Sequence, residues 1–112
     1  MKKHFKISKT IKKSVSWIAK TYYEYSASCK YFEKKSNKQN PEEQFLYFMN
    51  RKYRDAIKDT FYNTISSDYQ EKAWKYFFDG KKVSFYDEKL IKDEIDVWLY
   101  YLAKELGLLT TV

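Results

Sequence analysis

A chain of 112 residues, 21% aromatic and 33% charged, has material for one hydrophobic core and too much periodic apolar content for a disordered protein. Its one cysteine, Cys29, excludes an intrachain disulfide and fits a reducing compartment, so the cytoplasm is the expected location. The longest apolar run, the seven residues "VWLYYLA", excludes a transmembrane helix and any integral membrane association. The net charge of +7 is concentrated at one end. Residues 1–40 carry 11 Lys against Glu24 and Glu33, a balance of +9, whereas residues 41–112 carry 11 Lys plus Arg against 13 Asp plus Glu, a balance of −2. A basic surface confined to one region attracts phosphates, acidic proteins or anionic lipid heads.

Residues 1–8 read as a basic tail, holding His4, ahead of a single helical domain that completes 1–112. The first helix is expected over Lys9–Lys35. Ile11, Val15, Ile18, Tyr22, Tyr25, Cys29 and Phe32 recur at spacings of 4, 3, 4, 3, 4 and 3, an unbroken heptad seam. An uninterrupted helix of that length would be about 40 Å long, so one end would project. "NPEEQ" sets Asn40 as N-cap, Pro41 at the first helical position and Glu43 as the third residue of a capping box. A second helix then runs to Ile65. Phe45, Met49, Tyr53, Ile57, Phe61 and Ile65 form an i+4 row on it, widened by Leu46, Phe48, Ala56 and Tyr62. The short connection "SNKQN" joins these two helices into an antiparallel hairpin.

A brief third helix is expected over Asp68–Asp79, capped by Ser67 with Gln70 and burying Tyr69, Ala73, Trp74 and Phe77. Ser84 caps a fourth, Phe85–Leu106, which carries Ile91, Ile95, Trp98, Leu99, Leu102 and Leu106. Gly80 and Gly107 stand where a left-handed residue ends a helix. No stretch alternates as a strand does. The reading is all-α: a small four-helix domain, with a long N-terminal helical hairpin, a short helix and a final longer one.

Catalytic chemistry finds little material. His4 and Cys29 are the only residues of their kinds and are far apart in the chain, so neither a zinc set nor a Cys–His nucleophile can be assembled. Two glycines cannot form a phosphate loop. The carboxylates of "YDEKLIKDEID" alternate with Lys89 and Lys92 at the spacing of solvated helix pairs. Neither an enzyme nor a cofactor is expected.

The reverse face of the first helix is more informative. Lys9, Lys13, Trp17, Lys20, Tyr23, Lys30, Tyr31 and Lys34 lie opposite the seam. Lysines there keep any helix hydrated; the three rings need another reason. Either they pack against the third or fourth helix, the expected fate of Trp17 because small domains rarely leave a Trp outside the core. Or they stay open, and the lysines hold phosphates while the rings stack.

Residues 64–107 place a capped short helix ending in "YFFDG" before a turn and a longer helix closing on "LAKELG". This layout resembles the C-terminal part of sigma-region-4-like regulators, including phage late-gene transcription activators, where an aromatic-rich helix precedes a helix-turn-helix and a Leu-rich last helix. The resemblance covers under half the chain. It implies a DNA-binding transcription regulator of a phage or mobile element, with Lys81 and Lys82 in the turn available to phosphate. The chain departs from that pattern in leaving little room for an intermediate helix after Gly80. Its last helix is also acidic, net −3 over residues 84–106, and phosphates would repel it from a major groove.

Two functions are therefore expected to compete. One is a non-enzymatic nucleic-acid-binding protein, of DNA rather than RNA, using Lys9, Lys13, Trp17, Lys20, Tyr23, Lys30, Tyr31, Lys34, Lys81 and Lys82. The other is a protein-interaction module, an inhibitor, immunity factor or assembly subunit, that uses exposed rings and the acidic last helix, or meets an acidic protein surface. The heptad seam would also allow a homodimer.

Overall fold

The computed structural model describes residues 7–35 and 40–109; the tail before Ile7, with His4, and connecting residues 36–39 lie outside the described residues. Among the described residues there are five helices: α1 (Lys9–Lys20), α2 (Tyr22–Lys34), α3 (Pro41–Thr64), α4 (Gln70–Phe78) and α5 (Phe85–Glu105). No strand occurs among the described residues. The chain is all-α, but the four-helix layout is not what forms, because the expected first helix is broken in two at Thr21.

The break has a local cause. The Thr21 hydroxyl donates to the Trp17 carbonyl at 2.8 Å, taking the acceptor that Thr21 N–H would use in a continuing α-helix. That N–H turns instead to the Ile18 carbonyl at 3.1 Å, a tighter turn. Threonine back-bonding of this kind bends helices. The seam survives the bend: Val15, Cys29 and Phe32 are buried, and Ile11, Ile18, Tyr22 and Tyr25 are half-buried. Its two halves serve different partners, α1 packing on α5 and α2 along α3.

α2 and α3 run in opposite directions. Lys35 meets Glu43, Phe32 stacks near Tyr47, Asn50 donates to Ser28 and Tyr25 lies 5.4 Å from Tyr53, a register in which one helix number falls as the other rises. Asn40 and Glu43 close the capping box at the start of α3, each bonding the other's backbone N–H. Ser84 accepts from Asp87 N–H at 3.1 Å and caps α5. Ser67 does not cap α4. Gln70, expected to reach back to that cap, instead donates to the Tyr62 and Ile65 carbonyls left free at the end of α3. Gly107 takes φ +74° and lets Leu108 N–H reach the Ala103 carbonyl at 2.8 Å, closing α5 in a left-handed turn.

The core gathers Val15 and Ala19 from α1, Ile57 and Phe61 from α3, Ile65, Ala73 of α4 and six residues of α5. Trp98 is its centre: wholly buried, edge-on to Phe61 at 5.1 Å and Phe77 at 5.0 Å, with its indole N–H on the Thr60 hydroxyl at 2.9 Å. Such ring pairs contribute about 0.5–1.5 kcal/mol each beyond area burial.

The fold is elongated, 50 × 36 × 21 Å with a radius of gyration of 15.6 Å. A chain this long packed evenly would give about 13 Å. The end of α2 and the start of α3 pack on each other as an arm beside the main core. Cys29 and Phe32 are buried there but outside the main core. The i+4 row of α3 is consequently not one core row. Ile57, Phe61 and Ile65 are buried, Met49 and Tyr53 half-buried, and Phe45 is 62% exposed. Leu46, Phe48 and Tyr62, expected to widen the row, are exposed as well.

Candidate functional site

The basic face begins on α1. Ser8 accepts from Ile11 N–H at 3.1 Å and starts the helix, which sets Lys9, Lys13, Ser16, Trp17 and Lys20 on one side. With Lys12 they line an open groove of about 530 Å³. Trp17 is 71% exposed, so the expectation that α4 or another helix covers it is overturned. The bend at Thr21 explains this. It turns α2 toward α3 and brings Tyr22 and Tyr23, rather than Trp17, against the rings of α4.

The lysines of the groove divide into two kinds. Lys12 is paired with Asp96 of α5 at 2.8 Å, and the Lys20 ammonium sits 5.2 Å from the Phe77 ring centroid. Lys9 and Lys13 have no carboxylate partner among the described residues. Lys12 was not expected on this face, and Ser16 was expected only as a spacer between the lysines and rings. Their position one helical step from Lys9, Lys13 and Lys20 is the signal that could have placed them there.

Tyr23 belongs to a different environment. Its hydroxyl donates to the Asp79 carboxylate at 2.9 Å and accepts from the Trp74 indole N–H at 3.0 Å. Burial, opposed by the Trp74 bond and reinforced by the Asp79 bond, pushes the phenol above its ordinary value. Lys81 and Lys82, both exposed, follow Asp79 through Gly80 at φ +68°. The turn expected to offer phosphate contacts therefore leaves from the residue that holds Tyr23.

Lys30, Tyr31 and Lys34 lie further out, on the arm. Tyr31 is 57% exposed, with the Lys35 ammonium 5.4 Å from its ring centroid. Lys35 is itself bound to Glu43 at 2.7 Å, which holds the lysine pKa above and the glutamate pKa below their ordinary values. Lys30 and Lys34 have no carboxylate partner among the described residues. The ten expected residues thus fall into three groups. The groove holds Lys9, Lys13, Trp17 and Lys20, the α4 junction holds Tyr23, Lys81 and Lys82, and the arm holds Lys30, Tyr31 and Lys34. The first group lines one open groove.

The carboxylates behave differently. Asp87 takes Lys72 at 3.0 Å, Glu88 takes the Tyr76 hydroxyl at 3.0 Å, Glu94 takes both Ser66 N–H and hydroxyl, and Asp96 takes Lys12. The acidic side of α5 is largely engaged within the chain. Its first turn instead shows solvent Phe85, 93% exposed, and Tyr86, 85% exposed, neither of which stood out in the sequence.

No group of His, Cys, Asp and Glu among the described residues could hold a metal ion, and no helix there is long and apolar enough to cross a membrane. Cys29 is fully buried, and burial raises its thiol above the ordinary value, which is the setting of an inert packed thiol. A larger groove of about 740 Å³ between α3 and α5, lined by Thr60, Asn63, Val97, Tyr101, Lys104 and Glu105, has neither a nucleophile–base pair nor an excess of one charge. No protein-family model matches the chain, and comparisons with curated proteins and with solved structures give no match.

Proposed function

We propose that this chain is a small non-enzymatic nucleic-acid-binding protein, with the lysine face of α1 and α2 as its contact surface. One observation carries the reading. Lys9, Lys13, Lys30 and Lys34 have no carboxylate partner among the described residues, while Asp87, Glu88 and Glu94 of α5 bond other parts of the chain and Asp96 pairs with Lys12. Uncompensated ammonium groups on a rigid helical frame release counterions when they meet phosphate, and binding of that kind weakens steeply with salt. The sigma-like layout of residues 64–107 favours DNA and a role in transcription regulation for a phage or mobile element. The acidic leading turn of α5 no longer opposes DNA as it did, since Asp87 and Glu88 face α4.

The test is fluorescence anisotropy or gel shift with short DNA and RNA, single- and double-stranded, from about 50 to about 200 mM salt. Engagement of these four lysines gives a log–log salt slope of about −3 to −4. A folded protein that shifts no strand at the lowest salt would sink the reading.

A second reading, a protein-interaction module, is favoured by the exposed Phe45, Leu46 and Phe48 of the arm together with Phe85 and Tyr86. Aromatic side chains of that kind anchor interfaces. It draws less support from the acidity of α5, whose carboxylates are engaged. A homodimer would use the arm, because the heptad seam is consumed by packing on α3 and α5. Light scattering across a concentration series separates a dimer from a monomer, and a stoichiometric partner that survives nuclease treatment would favour this reading over the first.

A further inference from the structure

We infer that the α1 groove is a stacking site for an unpaired nucleobase, with Trp17 as the platform and Lys9 and Lys13 holding the adjoining phosphates. This rests on the nucleic-acid reading above and names its ligand: a single strand rather than a duplex.

The groove's walls are held in place by the rest of the fold. Lys12 is anchored to Asp96 at 2.8 Å on one side and Lys20 lies over Phe77 on the other. The Trp17 carbonyl is fixed by the Thr21 hydroxyl at 2.8 Å. The backbone that carries the indole is therefore positioned before any ligand arrives, which lowers the entropic cost of binding. Among the described residues, no ring and no cation lies over the Trp17 indole, although Tyr31, Tyr47 and Phe77 each have a cation above them. The indole is a large apolar face left open on the same surface as Lys9 and Lys13, which have no carboxylate partner among the described residues.

A ligand that complements this arrangement carries a flat ring and an anion on the same unit. A nucleotide does. In a duplex both faces of each base are already stacked on neighbours, so an indole on the surface of a straight helix gains nothing without prying the stack apart. In a single strand the bases are available, every base has a face to offer, and the phosphates run alongside. Along the axis Lys13 stands about 6 Å and Lys9 about 12 Å from Trp17, on the same groove, so they fit successive phosphates rather than one. The groove's hydrocarbon comes from the indole and the lysine stems, the amphipathic lining that suits a base and its sugar.

The full chain is titrated against labelled oligo(dT), oligo(U) and a duplex of about 12 residues, at about 50 mM salt. Wild type is compared with Trp17→Ala, Trp17→Phe and the double variant Lys9→Ala/Lys13→Ala, each shown by circular dichroism to keep its helices. Trp17→Ala is expected to weaken single-strand binding about 5- to 150-fold, the range for loss of one stacked base, and to leave the duplex unchanged. Trp17→Phe keeps part of the affinity, and the quenching of indole emission on binding disappears with it. The lysine double variant weakens every strand and flattens the salt slope by about two. The dT and U arms decide which sugar the groove accepts.

Single-strand affinity unchanged in Trp17→Ala, with the lysine variant still impaired, overturns stacking and leaves the lysine reading standing. Equal losses on duplex and single strand overturn the preference for an unpaired base. Displacement of oligo(dT) by polyglutamate at matched charge overturns the nucleobase as the recognised group. No binding by folded wild type to any strand removes both this inference and the reading on which it rests.

Discussion

The Thr21 hydroxyl bonds the Trp17 carbonyl at 2.8 Å, and the helix that the heptad seam would have continued ends there. At that bond α1 gives way to α2, and the two pack on different neighbours. Thr21→Val keeps the shape and removes the donor. It should lower unfolding free energy by about 0.5–1.5 kcal/mol, the usual net worth of one hydrogen bond, while Thr21→Ser stays near wild type. Urea denaturation measures both. A Val variant as stable as wild type would show that packing on α5 and α3 alone sets the bend.

Much of the fold was legible because its signals are local. Asn40, Pro41 and Glu43 cap a helix wherever they occur in that order, and Gly80 and Gly107 take positive φ as their places after helices suggest. The seam is legible for the same reason, and its residues are buried or half-buried. The bend was not, because a Thr inside a helical pattern either points to solvent or bonds backward, and periodicity is the same for both. The candidate site was less legible. Lys9, Lys13 and Trp17 share a groove that the stripe foretold, but the exposure of Trp17 depends on where α4 lands, a tertiary fact with no sequence period. Tyr23 looks equivalent to Trp17 on a helical wheel and is instead bonded to Asp79 and Trp74, more than fifty residues away.

Phe45 and Ile57 belong to one i+4 row and face opposite fates, one 62% exposed on the arm and the other fully buried in the core. Ile57→Ala should cost about 2–5 kcal/mol through lost burial and a residual cavity. Phe45→Ala should stay within about 0.5 kcal/mol, as surface changes do. Thermal unfolding of the two variants side by side checks the division. A large loss in Phe45→Ala would mean that something covers the arm in solution, and light scattering would then show whether it is a second copy.

Trp98 donates its indole N–H to Thr60, whose hydroxyl in turn donates to the Ala56 carbonyl at 2.6 Å. Thr60→Val would leave the wholly buried indole without an acceptor. The expected loss is about 1–3 kcal/mol, the cost of an unsatisfied buried donor. Thr60→Ser restores the oxygen and should recover most of it. If Val and Ser variants unfold together, the hydroxyl is not the acceptor that matters.

Burial raises the pKa of Cys29, Tyr22 and Tyr25 above the ordinary values of 9.0 for the thiol and 10.0 for the phenols. All three keep their protons longer in the folded chain than in the unfolded one. Between the unfolded and folded values the unfolded state binds fewer protons, so stability falls as pH rises. Their contribution is complete below pH 9.0, then declines as pH climbs through 10.0 and the folded values above it. The urea midpoint should be flat in this respect near neutrality and drop in the alkaline range. A thiol reagent at about pH 8 should leave Cys29 untouched until the chain is unfolded. Rapid modification of the native protein would contradict the burial on which both expectations stand.

Tyr23 provides the sharpest contrast with Trp17. Tyr23→Phe keeps the ring and its contacts with Tyr22, Trp74 and Phe78, and removes only the hydroxyl shared by Asp79 and the Trp74 N–H. Water can reach both partners at this half-open position, so the loss of stability should be about 1 kcal/mol or less. Affinity for an oligonucleotide should not change, because the hydroxyl fastens α2 to the end of α4 and is not offered outward. Trp17→Ala should do the reverse, leaving stability within about 0.5 kcal/mol and lowering affinity. Paired urea and anisotropy measurements on the two variants separate a ring that fastens the fold from a ring that meets a ligand. Loss of affinity in Tyr23→Phe at full stability would move the contact surface from the α1 groove to the α4 junction, where Lys81 and Lys82 would then be the phosphate contacts to test.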